Sequence, residues 1–160
     1  MTQTGVLRPT STDDLVGLEP HPNQWHWLTQ EEIGSFADAP ADHQWIHADT
    51  ERAAGPFGDT IGHGLLMLSL GHAFMEELKL MASDGFAHDF DYGYNKVRFP
   101  HAGKVGIDLR MRATITNVTA ISDESAQFTT IQCFEAKGIE KPICFANSLG
   151  RFAEYPAASA

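Results

Sequence analysis

A chain of 160 residues, 42% hydrophobic and 20% charged, has the bulk for one domain with a sizeable core and falls outside the disordered and fibrous classes. Its formal net charge of -10 at pH 7 disfavours nucleic acid and anionic membrane surfaces as partners. No apolar run is long enough to span a membrane, and the opening "MTQTGVLRPTSTDD" lacks the basic-then-apolar order of a secretory signal, so a cytoplasmic protein is expected.

The first 20 residues read as a polar leader, with a short helix after Ser11 and Thr12, and residues 21–160 as a single domain. A helix is predicted over 30–38. Thr29 and Glu32 have the spacing of a capping box, in which each side chain satisfies the other's backbone N–H, and Leu28 with Ile33 fits the hydrophobic staple. After Pro40 the pattern breaks into a loop, "ADHQWIH". A short helix then runs from Asp49 as N-cap to Ala54, stopped by Gly55 and Pro56. In "GLLMLSLGHAFMEELKLM", residues 64–81, apolar side chains cover nearly every direction of a 3.6-residue period, so this helix is expected to be buried on all sides.

Strands follow. From 105 to 116 the odd positions are apolar (Val105, Ile107, Leu109, Met111, Ala113, Ile115) and the even ones are Gly, Asp, Arg or Thr, the alternation of a strand with one wet face. Residues 126–136 and 143–152 read as two more, joined by a turn from Lys137 to Pro142. Residues 88–99 read as another, with a bulge near Gly93 or Asn95 where the apolar phase slips. An α+β class is expected: one antiparallel sheet curling around a long apolar central helix, with a homodimer completing the burial. Cys133 and Cys144 are expected to be buried thiols, not a disulfide. Residues 96–160 carry a balance of +2 against -12 for residues 1–95, so an anionic ligand would favour the C-terminal half.

The loop "ADHQWIH" concentrates chemistry. Asp42 and His47 are five residues apart, which is not a helix-face spacing, so only the loop's path can bring them together. A carboxylate and an imidazole that meet in a desolvated pocket can activate water near neutral pH. The residues alone leave open a solvated loop, such a pair, or a metal held by Asp42, His43 and His47. The metal reading lacks a further ligand cluster, His63 being a lone candidate, and none is expected.

Extended to "FADAPADHQWIHADTERAAGPFGDTIGHGLLMLSL" and joined with "YGYNKVRFP", the stretch resembles the MaoC-like (R)-specific enoyl-CoA hydratases, nodulation-protein-N-like branch, from about Gln24 to Arg151. The family's Asp-x-Asn-Pro-x-His and helix-opening "HG" fall here on Asp42, His47 and His63-Gly64. Gln44 and Trp45 replace the commoner Asn and Pro, and Ala41 replaces the usual Gly. The resemblance implies a hot-dog fold, usually dimeric, and hydration of trans-2-enoyl-CoA to (R)-3-hydroxyacyl-CoA, or its reverse, without metal or organic cofactor. It implies Asp42 and His47 as the water-activating dyad and the Gly64 N–H as donor to the thioester oxygen. Gln44, His63 and Asn95 are candidate substrate-binding residues. Two alternatives are a hot-dog acyl-CoA thioesterase, which generally uses a carboxylate on the central helix instead of this loop, and a non-catalytic acyl-thioester-binding subunit, against which the presence of both Asp42 and His47 argues.

Overall fold

The structure is a computed structural model and describes residues 15–78, 88–122 and 125–153. Of the helix expected after Ser11 and Thr12 only the part from Leu15 is described, a single turn closed by the Leu18 N–H on Leu15 O at 3.2 Å, and residues 79–81 of the long apolar helix lie outside the described residues.

Helix α1 (Gln30–Asp38) begins where its capping box puts it. The Thr29 hydroxyl accepts the Glu32 N–H at 3.2 Å and the Glu32 carboxylate accepts the Thr29 N–H at 2.8 Å, with Leu28 and Ile33 fully buried on either side of the cap. Burial raises the Glu32 carboxyl's pKa, but hydrogen bonds from Thr29 and the nearby His26 outweigh it, and the net shift is downward. The chemical loop contains a single helical turn, α2 (Trp45–Ala48). Helix α3 (Thr50–Phe57) starts at the Asp49 cap but passes Gly55 and Pro56. Pro56 forfeits one helical bond, the Gly58 N–H closes the last turn on Ala54 O at 3.0 Å, and Gly58, at a φ of 80°, ends the helix.

Five strands form one antiparallel sheet: β1 (His26–Trp27), β2 (His88–Arg98), β3 (Asp108–Ser122), β4 (Ser125–Ala136) and β5 (Ile139–Ala153), in the order β1-β3-β4-β5-β2. The two-residue β1 was not anticipated. Strand β3 begins at Asp108 and not 105, because the Val105 and Gly106 N–H groups turn away to Thr60 O and Leu28 O. The β4–β5 turn is Lys137 and Gly138 alone, Gly138 having a φ of 78°. Pro142 lies inside β5, where the register slips between Phe134↔Cys144 and Ala136↔Ile139 and no ladder N–H is needed. The phase slip in β2 resolves into two irregularities, between Asp91 and Gly93 and between Tyr94 and Lys96.

The sheet curves around α4 (Gly64–Leu78), the hot-dog arrangement. Leu66, Met67 and Phe74 of α4 are buried in one cluster with Leu109, Met111, Phe134, Ile143 and Cys144. Burial on all sides is not reached within one chain: Leu65 is 62% exposed. A second cluster joins Leu15 to Ile115 and Phe128, with Leu18 against them. Both cysteines are free, but only Cys144 is buried, its thiol pushed up to about 12, whereas Cys133 is half-buried. Among the described residues, no helix is long and apolar enough to cross a membrane.

Candidate active site

Three short pieces of backbone bring the site together. The chain leaves α1 through Ala41, at a φ of 57°, and the Asp42 N–H bonds Ala37 O at 2.9 Å, which turns Asp42 back toward α4. A left-handed alanine costs roughly 1–2 kcal/mol. His47 sits on the α2 turn, 6% exposed, and its Nδ1 lies 2.5 Å from Ile61 O. That nitrogen therefore carries the proton, and Nε2 is the one left to act. Gln30 of α1 fixes the turn from behind: its amide donates to His47 O at 2.8 Å and its oxygen accepts the Thr60 hydroxyl at 2.5 Å.

His63, the residue before α4, is 4% exposed and stacks on His47 with ring centroids 3.6 Å apart. Its Nε2 donates to Asp42 O at 2.9 Å and lies 3.9 Å from Asp42 Oδ2. Asp42, His47 and His63 thus offer side-chain atoms within 4.8 Å of one another, although 21 positions separate the first from the last. This proximity would also suit a metal ion, since a histidine ligand ordinarily has its other ring nitrogen held by a carbonyl, as both rings do here.

His47 opens onto a cleft of about 250 Å³ lined by Gly64, Met67, Phe99, Gly103 and Ile143 among others. Gly64 is the first residue of α4, so its N–H has no acceptor within the helix and sits at the positive end of the helix dipole. A Cβ there would come 2.9 Å from the Phe99 ring, so glycine is what lets the ring and the helix end share this wall.

Other candidates fall elsewhere. Gln44 is exposed at the start of α2, with no side-chain bond to the turn. His43 is exposed, 3.5 Å from Asp38. Asn95 sits in the second β2 irregularity and donates to Asn147 Oδ1 at 3.1 Å on the exposed side of the sheet, not among the residues lining the cleft. Trp45 is an anchor, with the Arg52 guanidinium 4.4 Å above its ring and Phe57 beside it. Sequence reasoning missed Gln30 and Phe99. Gln30 is indistinguishable from any polar residue in a first helical turn, whereas Phe99, next to "PHAG", carried a faint signal as an apolar residue in a turn-rich segment.

Residues 12–135 match the model of the MaoC like domain. The chain belongs to the MaoC-like dehydratase family. Within that family it is 40% identical over 131 residues to 3-hydroxyacyl-thioester dehydratase Z of Mycobacterium tuberculosis, covering 81% of this chain and 85% of the relative. It is 37% identical over 107 residues to nodulation protein N of Rhizobium leguminosarum, 63% of each chain. The solved structure of the (R)-hydratase from A. caviae involved in PHA biosynthesis shares the fold, with a TM-score of 0.66 at 20% identity over 84% of this chain and 94% of that one.

Proposed function

We propose that this MaoC-like protein adds water across trans-2-enoyl thioesters of coenzyme A, giving the (R)-3-hydroxyacyl thioester, and catalyses the reverse dehydration. The observation that carries the reading is that His47, which lines the cleft together with Gly64, has a carboxylate oxygen of Asp42 within 4.8 Å of a ring nitrogen. The dehydratase name of the M. tuberculosis relative supports the reaction class, and the sequence resemblance supports the (R) outcome.

Water is held between the Asp42 carboxylate and His47 Nε2. As its oxygen bonds to C3, its proton passes to the dyad and the C2–C3 π electrons move toward the thioester carbonyl. The oxygen of that carbonyl gains negative charge, which the Gly64 N–H and the end of α4 stabilise. A proton then passes from the dyad to C2, and the carbonyl reforms. Ile61 O holds His47 in the tautomer this sequence needs. His63 is a positioning residue that ties the Asp42 backbone to the His47 ring.

The protein acts as a homodimer. Strand β2 is an edge strand on which Phe90, Tyr92 and Tyr94 are exposed, and Leu65 is exposed on α4, which together favour a second copy over solvent.

The test incubates purified protein with enoyl-CoAs of four to fourteen carbons, following loss of the conjugated thioester and release of free thiol separately, with chiral analysis of the product. Loss of conjugation without thiol release, and (R) product, are expected. Thiol release would make the protein a thioesterase, and (S) product would overturn the stereochemical reading.

A further inference from the structure

Gln30 and Thr60 are not among the residues that line the cleft, yet both are tied to His47 from behind. The Gln30 amide nitrogen donates to His47 O at 2.8 Å, and the Gln30 amide oxygen accepts the Thr60 hydroxyl at 2.5 Å. A carbonyl oxygen can only accept, so His47 O decides which way round the amide lies. With the amide oxygen turned away from His47, it is Thr60 that must donate. Thr60 is 0% exposed, so bulk water cannot take the place of its hydroxyl.

These bonds close a ring. From Thr60 one peptide bond leads to Ile61, whose carbonyl holds His47 Nδ1 at 2.5 Å, and His47 itself joins that nitrogen to the carbonyl that Gln30 holds. His47 is therefore held at its ring and at its main chain by two neighbours that are tied to one another. The ring is anchored outside itself as well. Gln30 opens α1 beside the capping box, the Val105 N–H bonds Thr60 O at 3.0 Å, and the Ile61 N–H bonds Ile46 O at 3.0 Å. An imidazole held only at Nδ1 can still pivot about that bond and carry Nε2 away from the water. The second hold, on the main chain, removes the pivot.

We propose that Gln30 and Thr60 are positioning residues for turnover, acting through His47 and touching neither substrate nor water. The kinetic part of the inference rests on the hydratase reading of the dyad. Substrate docks against the cleft wall, to which neither residue contributes, whereas proton transfer needs His47 Nε2 within hydrogen-bond reach of the water. Misplacing a reacting group by about 1 Å costs about a hundredfold in rate. Breaking the ring should therefore lower kcat by about tenfold to a hundredfold and leave KM almost unmoved. Because Thr60 acts on His47 through the Gln30 amide, its hydroxyl has little left to do once that amide is gone.

The test measures kcat and KM, on the enoyl-CoA that wild type turns over best, in Thr60→Val, Thr60→Ser, Gln30→Met and the Thr60→Val/Gln30→Met double variant, with urea unfolding of each. Hydrogen exchange of the His47 Nδ1–H is followed by NMR in the same proteins, its resonance assigned by its loss in His47→Gln. Valine keeps the shape of threonine without the hydroxyl, and serine keeps the hydroxyl. Thr60→Val and Gln30→Met should lower kcat about tenfold or more with KM within about twofold. Thr60→Ser should stay within about threefold of wild type, and the double variant should be little slower than Gln30→Met alone. Exchange of the His47 proton should quicken about tenfold or more in Thr60→Val and Gln30→Met. Gln30 is only half-buried, so Gln30→Met decides the matter even if Thr60→Val does not fold. Variants that unfold at lower urea yet keep wild-type kcat, or a loss of kcat that serine does not rescue, overturn the proposal and leave the pair a staple for stability alone. Unchanged exchange overturns it too. A wild type that hydrates no enoyl-CoA, with exchange that still quickens in the variants, removes the hydratase reading while the hold on His47 stands.

Discussion

Substituting Gly64→Ala separates two reasons for a glycine at the start of α4. The added methyl would meet three atoms of the Phe99 ring at 2.9–3.0 Å, against about 3.5–4.0 Å for comfortable carbon contact, so the ring or the helix end must move by about 0.5–1 Å. Phe99 is 44% exposed and can swing outward, so the loss of stability should lie at the low end of the roughly 1–3 kcal/mol for overpacking. Alanine's better helix propensity offsets part of that. The proposed chemistry predicts something larger in turnover. A methyl beside the Gly64 N–H keeps the substrate oxygen from its donor, and losing one such donor costs about 10²–10³ in rate. The assay is kcat/KM for an enoyl-CoA in Gly64→Ala, Phe99→Leu and the double variant, each with a urea unfolding curve. The double variant should regain stability and remain slow. If relieving the Phe99 contact restores activity to within a few-fold of wild type, Gly64 serves only to seat that ring.

Asp42→Asn and His47→Gln should each lower turnover about 10²–10⁴-fold, with the double variant little worse than the poorer single one, because groups sharing one water are non-additive; additive losses would separate their roles. Thr29→Ala should cost about 1 kcal/mol in urea unfolding through loss of the α1 cap, and an unchanged midpoint would contradict the cap's role. Glu32 has a lowered folded pKa, so its contribution is present above the ordinary carboxylate range and is lost as pH falls through the folded value; the stability gap between wild type and Glu32→Gln should close on acidification. Prolonged chelation should leave activity intact, and activity that vanished and returned with zinc would promote the Asp42, His47 and His63 cluster to a metal site. Light scattering should give a dimer, and Tyr92→Lys should weaken it, whereas a fully active monomer would remove the argument from the β2 edge.

What was legible in the sequence was local or periodic. The Thr29–Glu32 box and the alternation through Leu109, Met111, Ala113 and Ile115 specify a helix start and a buried strand face with no help from the rest of the chain. Strand β1 has no period to read, and the extents of α3 and of the β4–β5 turn were misjudged because Pro56 and Pro142 occupy places where a missing N–H does little harm. The meeting of Asp42, His47 and His63 could not be derived from spacing. It depends on Asp42 N–H reaching back to Ala37 O, on one turn at α2, and on the Ile61↔Lys104 bridge that aligns Ile61 with His47. Asn95 was expected toward the pocket, but the irregularity beside it directs it to Asn147 instead.

Main-chain carbonyls aim the proposed dyad: Ile61 O holds the His47 ring, Asp42 O holds His63, and Ala37 O holds the turn that carries Asp42. A carbonyl is supplied by any amino acid. The side chain at 61, which lines the cleft, can therefore be redesigned for a new cleft shape without disturbing the aim, provided the backbone keeps its path, whereas Ala37 is confined by the core around it. Engineering this scaffold for a different acyl group can thus treat the cleft wall as editable and the main chain from Ala37 to Gly64 as fixed.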